Sequence, residues 1–224
     1  MLWDVDGTLL RGGGVAADVF ALAVEHAVGR HPGDHGVRMA GGTDPQIAKA
    51  ILDLMGEPHH HLPAVIERLE HELAAAAEAL RERGHVLPGV PDVLARLHDD
   101  PGVLQSVLTG NTAANAATKL AAFDLDGWID VEVGAYCSDD HDRTALVPVA
   151  VERAARLRGR RFAPHEVWVV GDTEHDLACA RAAGARCLLV GTGFTPVNGA
   201  TAAAADAYLA DLADVDAVVD LLRS

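Results

Sequence analysis

From Val90 to Leu209 the chain repeats one pattern: a short apolar run, a turn of small, polar or acidic residues, then a helix-length segment. A helical pattern over Val90–Leu97 leads to the run Val103–Leu108, which ends in Thr109-Gly110-Asn111 before a helix over about Ala113–Phe123. Val131–Val133 is the next run, followed by a polar loop at Asp139–Arg143 and a helix over Val147–Leu157. Val167–Val170, Gly171-Asp172, a helix over about Asp176–Ala183, Cys187–Val190 and a weak strand at Ala207–Leu209 complete the series. Short apolar runs alternating with helices predict an α/β fold, a parallel sheet with right-handed crossovers. Ala200–Ala205 reads as a connector.

The opening Leu2-Trp3-Asp4-Val5-Asp6-Gly7-Thr8 reads as one more strand running into a turn. So little precedes Leu2 that further strand residues are expected upstream. After Gly12-Gly13-Gly14 the signal is helical as far as Gly84: Ala16–Val28, then Thr43 to Gly56, then one long amphipathic helix over Leu62–Arg83. Thr43-Asp44-Pro45-Gln46 has the form of a helix start, a capping residue with proline just inside. No strand pattern interrupts this stretch.

Composition narrows the function classes. The 224 residues carry 18 basic and 33 acidic side chains, a formal net charge of −15. Such a chain repels phosphate backbones, so nucleic acid is not an expected partner. It lacks an uninterrupted apolar run long enough to span a bilayer, and its opening lacks the pattern of an export leader. Three cysteines, odd in number and without CxxC spacing, fit a reduced, cytoplasmic protein. The only lysines are Lys49 and Lys119, so chemistry that needs a lysine has two candidates.

Three clusters fall at strand ends. Asp4 and Asp6 close the first strand two residues apart, and alternation places them on one face unless the turn at Gly7 redirects the second. Two acids so close repel unless a cation or a shared proton relieves them. Asp172 and Asp176 follow Val170 with the spacing of one opening helical turn. Between these pairs in sequence, Thr109-Gly110-Asn111 offers a hydroxyl and free backbone N–H groups at a helix start, a ready phosphate site. Ligands of open parallel sheets bind at this edge.

In these residues the sequence resembles the haloacid dehalogenase superfamily, in particular its phosphoglycolate phosphatase-like branch. Asp4-Val5-Asp6-Gly7-Thr8 matches the first motif, Thr109 the second and Gly171-Asp172-Thr173-Glu174-His175-Asp176 the fourth. The resemblance implies a Rossmann-like core (residues 1–13 and 86–224) with an inserted all-helical cap (14–85). It implies that Asp4 is the nucleophile that becomes an aspartyl phosphate and that Asp6 is the acid and base. Mg²⁺ would lie on Asp4, Asp172 and the backbone carbonyl of Asp6, supported by Asp176. Thr109 and Gly110, beside Asn111, would bind the phosphoryl oxygens. A second acid at Asp6 suits phosphoester cleavage, whereas the dehalogenase branch lacks it.

The third motif departs from the common pattern, which places a lysine before the helix leading to the fourth. Arg143 stands near that position, and Lys119 lies on the helix after Thr109. Helical side chains lean toward the helix N-terminus, so Lys119 is the favoured clamp on Asp4 and the phosphate, with Arg143 next.

In the cap, Gly41-Gly42-Thr43-Asp44 is read as a substrate-facing turn in which Thr43 meets the substrate, or else as a plain helix cap. Arg11 and Arg38 are read as surface charges before substrate anchors. Gly12–Gly14 is read as a hinge. His59-His60-His61 is a weak metal candidate, His175 a rim residue, and Cys179 and Cys187 core residues. The expected function is Mg²⁺-dependent hydrolysis of a small phosphorylated metabolite by a monomer or homodimer. The alternatives are a phosphoglucomutase-like phosphotransferase and a catalytically silent binding protein. Phosphonate cleavage through a Schiff base has only Lys49 to use and is disfavoured.

Overall fold

The computed structural model describes residues 1–140 and 142–224. Six strands form a sheet in which every neighbouring pair is parallel, in the order β5-β4-β1-β6-β7-β8. They are β1 (Leu2–Trp3), β4 (Ser106–Thr109), β5 (Ala135–Tyr136), β6 (Trp168–Gly171), β7 (Arg186–Val190) and β8 (Ala207–Leu209). Two further strands, β2 (Leu10–Arg11) and β3 (His85–Val86), pair antiparallel as a ribbon. The helices are α1 (Val15–Val28), α2 (Asp44–Met55), α3 (Leu62–Ala75), α4 (Ala77–Arg83), α5 (Val90–His98), α6 (Ala113–Ala122), α7 (Leu146–Arg158), α8 (Glu174–Ala183), α9 (Gly199–Ala204) and α10 (Val215–Arg223).

The central strands read as continuous apolar runs because the sheet is covered on both faces. Alternation sorts their side chains. Trp3, Trp168, Val170, Leu188 and Val190 pack with α5, α6 and α10, while Leu2, Val169, Cys187 and Leu189 pack with α7 and α8. Burial pushes the Cys137, Cys179 and Cys187 thiols up to about 12, so all three sit as inert apolar groups.

Helices α1 to α4 build a second core of their own around Phe20, Val24, Ile51, Leu52, Val65 and Leu69. The ribbon β2–β3 joins this helical cap to the sheet, and close backbone approach there explains two of the glycines. A Cβ on Gly13, at φ +59°, would lie 2.2 Å from the Arg83 carbonyl oxygen, and one on Gly84 2.5 Å from that of Arg11. The triplet Gly12–Gly14 therefore packs against the second crossing of the chain, which makes it more than a slack hinge.

Several expectations need correction. The run Val131–Val133 is a turn, its end closed by the Val133 amide on the Asp130 carbonyl, and the strand is Ala135–Tyr136, in register with Leu108–Thr109. The single helix expected over Leu62–Arg83 breaks at Ala76, whose backbone leaves the helical region at ψ 10°. The connector Ala200–Ala205 is mostly helical as α9, capped by the Asn198 side chain on the Thr201 amide at 2.9 Å. Helix α10, unforeseen in the sequence, buries Val218, Val219 and Leu222, each worth about 1.5–3 kcal/mol. The polar loop near Asp139–Arg143 is described apart from position 141.

Candidate active site

The carboxyl ends of β1, β4 and β6 are adjacent because β1 lies between the other two. Asp4 continues β1 by one backbone bond, its amide donating to the Val170 carbonyl at 2.9 Å. The chain then turns back through Gly7, at φ +88°, where a Cβ would lie 2.6 Å from an Asp172 carboxylate oxygen. Only glycine meets both demands. Thr8 donates its hydroxyl to Asp172 at 3.2 Å.

In the first turn of α8, just beyond β6, Asp176 does two things. Its Oδ2 accepts the Thr173 amide and hydroxyl, at 3.0 and 2.7 Å, capping α8, and its Oδ1 accepts an Arg143 guanidinium N–H at 2.7 Å. Asp4, Asp172 and Asp176 are all buried, and each places an oxygen within 4.8 Å of the others. Among the described residues no other group of acids, histidines or cysteines meets that condition. Burial, the charge of Asp176 and that of Asp6 raise Asp4 to about 7, against the partial relief of Arg143; burial and the charges of Asp4 and Asp176 raise Asp172 to about 8. Three desolvated carboxylates that oppose one another's ionisation, offering oxygen donors only, fit a hard divalent cation such as Mg²⁺.

The opposite wall comes from β4 and α6. Thr109 is fully buried and its hydroxyl accepts from the Asn111 side-chain amide at 2.8 Å. The same Asn111 nitrogen donates to Asp6 at 2.9 Å, and its oxygen accepts from the Lys119 ammonium at 2.7 Å. Lys119 closes the ring on Asp6 at 2.6 Å.

This geometry separates the two cations. Lys119 donates to Asp6 and Asn111 and lines the cavity, with no direct ion pair to Asp4. Arg143 stands beside Asp4, 3.8 Å away, and also donates to the Gly41 carbonyl of the cap at 3.2 Å. Lys119 leaves α6 on the side of β1's turn, whereas Arg143 enters from the loop after β5.

Thr43 is a helix cap. Its hydroxyl accepts the Gln46 amide at 3.3 Å, its own amide donates to the Gln46 side chain at 3.1 Å, and it takes no place on the cavity wall. The next residue matters more. The Asp44 amide donates to the Gly110 carbonyl at 2.8 Å. Its carboxylate accepts from the Thr112 amide at 2.9 Å and the Asn115 side chain at 2.8 Å. The sequence places Asp44 in the cap turn but shows neither its contact with core helix α6 nor any part for Asn115, because their pairing joins elements far apart in the chain. Burial raises Asp44 above the usual carboxylate range.

Of the remaining candidates, Arg11 donates to the Thr192 and Gly193 carbonyls and stacks on Phe194. Arg38, on the rim, donates to the Thr195 hydroxyl. His175 packs against Gly41, where a Cβ would lie 2.6 Å from its ring. His59 pairs with Asp53 on the exposed surface, as does Lys49. A cavity of about 510 Å³ between cap and sheet takes in Asp4, Asp6, Asp44, Thr109, Gly110, Asn111, Lys119 and Arg143.

A parallel-sheet core with converging acids at one edge, closed by a helical cap, defines a capped Rossmann-like hydrolase. Residues 1–181 match the haloacid dehalogenase-like hydrolase family, and the chain belongs to it. A relative provisionally named pyrophosphatase PpaX, of Caldanaerobacter subterraneus subsp. tengcongensis, is 27% identical over 199 residues, covering 85% of this chain and 80% of its own. A phosphoglycolate phosphatase of Aquifex aeolicus is 24% identical over 212 residues, covering 88% and 87%. The crystal structure of a hydrolase from Pseudomonas syringae, 22% identical, superposes with a TM-score of 0.68 over 99% of this chain and 97% of the other. No helix among the described residues is long and apolar enough to cross a membrane.

Proposed function

We propose that this hydrolase is a Mg²⁺-dependent phosphatase acting on a small phosphorylated metabolite through an aspartyl phosphate on Asp4. The observation that carries the reading is the placement of buried Asp4 between the Asp172–Asp176 pair and the Asp6–Asn111–Lys119 ring. Asp4, Asp172, Asp176 and the Asp6 carbonyl would hold the cation, which when bound neutralises phosphoryl oxygens so that an anion can attack an anion.

The protein's own groups divide the remaining work. Asp4 attacks phosphorus, splitting one difficult transfer into two easier steps. Asp6, positioned by Lys119 and Asn111, gives a proton to the departing oxygen and takes one from the water that later releases phosphate. Thr109 and the Gly110 amide receive the phosphoryl oxygens. Arg143 holds Asp176 toward Asp4 and ties the cap to the core through Gly41. The cap, taken as residues 14–85, encloses the reaction and excludes water. Buried, unpaired cysteines support a cytoplasmic setting.

The test is phosphate release from a panel of phosphoesters with Mg²⁺ or chelator. Release that needs the metal and falls by about 10³-fold or more in Asp4→Asn is the expected result. Isomerised sugar phosphate without net release would replace hydrolysis by transfer, and no reaction in a folded protein that binds Mg²⁺ would leave a silent binder.

A further inference from the structure

The loop that follows β7 packs against Asp172. A Cβ on Gly193 would collide with the Asp172 carboxylate, as would one on Gly7. Thr8 adds a direct bond, donating its hydroxyl at 3.2 Å. Asp172 is buried, and the charges of Asp4 and Asp176 oppose its own. A carboxylate that converges on two others against that repulsion must be confined by its neighbours, and the backbone at Gly7 and Gly193 confines this one.

Gly193 is itself held by Arg11. Leu10 and Arg11 form β2, paired with His85–Val86, and the Arg11 carbonyl lies against Gly84, so the side chain starts from a fixed backbone. Its Nη2 donates to the Thr192 carbonyl at 2.7 Å and to the Gly193 carbonyl at 3.0 Å. The guanidinium carbon stands 4.8 Å from the centre of the Phe194 ring. One cation thus gathers three successive residues, two through charge-assisted hydrogen bonds and one through the negative face of its ring.

Little else fixes this stretch. The Thr192 hydroxyl donates to the Gly7 carbonyl at 2.6 Å, and Arg38 of the cap donates to the Thr195 hydroxyl at 2.9 Å. Among the described residues, the hydrogen bonds that tie residues 192–195 to other elements all use a side chain. Thr192 and Gly193 are half-buried, and Phe194 and Thr195 are exposed, so packing alone does not seat the loop.

We propose that Arg11 is a positioning residue for the divalent cation: by holding the Thr192 and Gly193 carbonyls it seats Gly193 against Asp172 and fixes the direction of that carboxylate. The inference rests on the Mg²⁺-dependent phosphatase reading and adds to it a residue at the junction of core and cap that takes no place on the cavity wall. Groups that orient a metal's ligands govern its affinity by about 10- to 100-fold.

The fold contains a matching clamp that serves as a control. Arg160 donates to the Pro101 and Gly102 carbonyls at 2.9 and 2.6 Å and stands 5.5 Å from the centre of the Phe162 ring. Pro101 and Gly102 precede β4, and Phe162 precedes β6, so this clamp lies at the amino ends of the strands, opposite the acids.

The experiment measures Mg²⁺ binding to the full chain by calorimetry without substrate, beside the Mg²⁺ midpoint of phosphate release. It compares the wild type with Arg11→Gln, Arg11→Lys, Thr192→Val and Arg160→Gln. Arg11→Gln is expected to raise the Mg²⁺ Kd about 10-fold and to move the midpoint with it. Arg11→Lys, which keeps a cation and its N–H donors, should recover most of that loss. Thr192→Val, which frees the same loop from Gly7, should shift the Kd in the same direction. Arg160→Gln should lower Tm, as Arg11→Gln does, and leave the Kd in place.

An unchanged Kd in Arg11→Gln, or an equal shift in Arg160→Gln, overturns this inference and leaves the phosphatase reading intact. If Arg11→Gln does not fold, Thr192→Val carries the comparison, and an unchanged Kd there overturns the inference. A wild type that binds Mg²⁺ and loses affinity in Arg11→Gln, yet releases no phosphate, overturns the phosphatase reading while the role of Arg11 stands. A wild type that binds no Mg²⁺ overturns both.

Discussion

The Asp44 carboxylate, from the first residue of cap helix α2, accepts the Thr112 backbone amide at the start of core helix α6 at 2.9 Å. An acid from one unit thus satisfies one N-terminal backbone donor of a helix in the other, where the helix dipole favours negative charge. The Asp44 amide also binds the Gly110 carbonyl, so cap position and the shape of the Thr109–Asn111 turn are set together.

Removing this latch should weaken catalysis more than folding. Asp44→Ala is expected to lower kcat/KM about ten-fold, equivalent to roughly 1.4 kcal/mol. Asp44→Asn, which keeps an acceptor for the Thr112 amide, should fall between. Steady-state kinetics beside thermal melts decides it, and an Ala variant with unchanged kcat/KM would show that the latch does not govern cap closure.

The two interior cations should separate by the acid each one touches. Arg143→Met strips the partner from fully buried Asp176 and should cost roughly 3–5 kcal/mol of stability. Lys119→Met leaves Asp6, whose side chain is 34% exposed, so its stability cost should be smaller. Its main effect should be on turnover, about 10²-fold in kcat. Urea unfolding and kcat measured on both variants provide the comparison, and equal stability losses would contradict the division.

Metal-free stability should fall as pH rises. Asp4 and Asp172 hold protons up to about 7 and about 8 in the fold, against 3.8 in an unfolded chain. Between those values the folded state binds more protons than the unfolded one, so raising pH favours unfolding. A cation that replaces the protons reverses this, so Mg²⁺ should raise Tm more at about pH 8 than at about pH 5. Melts in chelator and in Mg²⁺ test it, with Asp172→Asn expected to flatten both trends.

A single methyl group placed near the cluster should act on the metal. A Cβ on Gly193 would lie 2.4 Å from an Asp172 oxygen, and Asp172 is buried with little room to retreat. Gly193→Ala should raise the half-saturating Mg²⁺ concentration about 10-fold or more. Mg²⁺ titration of phosphate release measures the shift, and an unchanged midpoint would remove Asp172 from the metal site.

Much of this protein was legible locally. Asp4, Asp6, Thr109, Asp172 and Asp176 stand at strand ends because each belongs to a strand-turn-helix unit a few residues long, whose spacing alone sets its position. The alternation from Val90 onward fixed a parallel sheet for the same reason. Strand limits were less legible at Val131–Val133, where apolar β-branched residues form a turn and pairing with Thr109 selects Tyr136 instead.

Tertiary structure decided which charge meets which. Lys119 and Arg143 are both cations within reach of the site by sequence, yet they approach from α6 and from the loop after β5, and so fall on Asp6 and on the Asp4–Asp176 pair. Asp44 gained its role only when α2 was laid against α6. The cap's own core likewise exists because α1, α2 and α4 bring Phe20, Ile47 and Leu80 together. Spacing in the chain specifies what a residue can do, whereas the partner that draws it into use comes from an element that folding alone brings near.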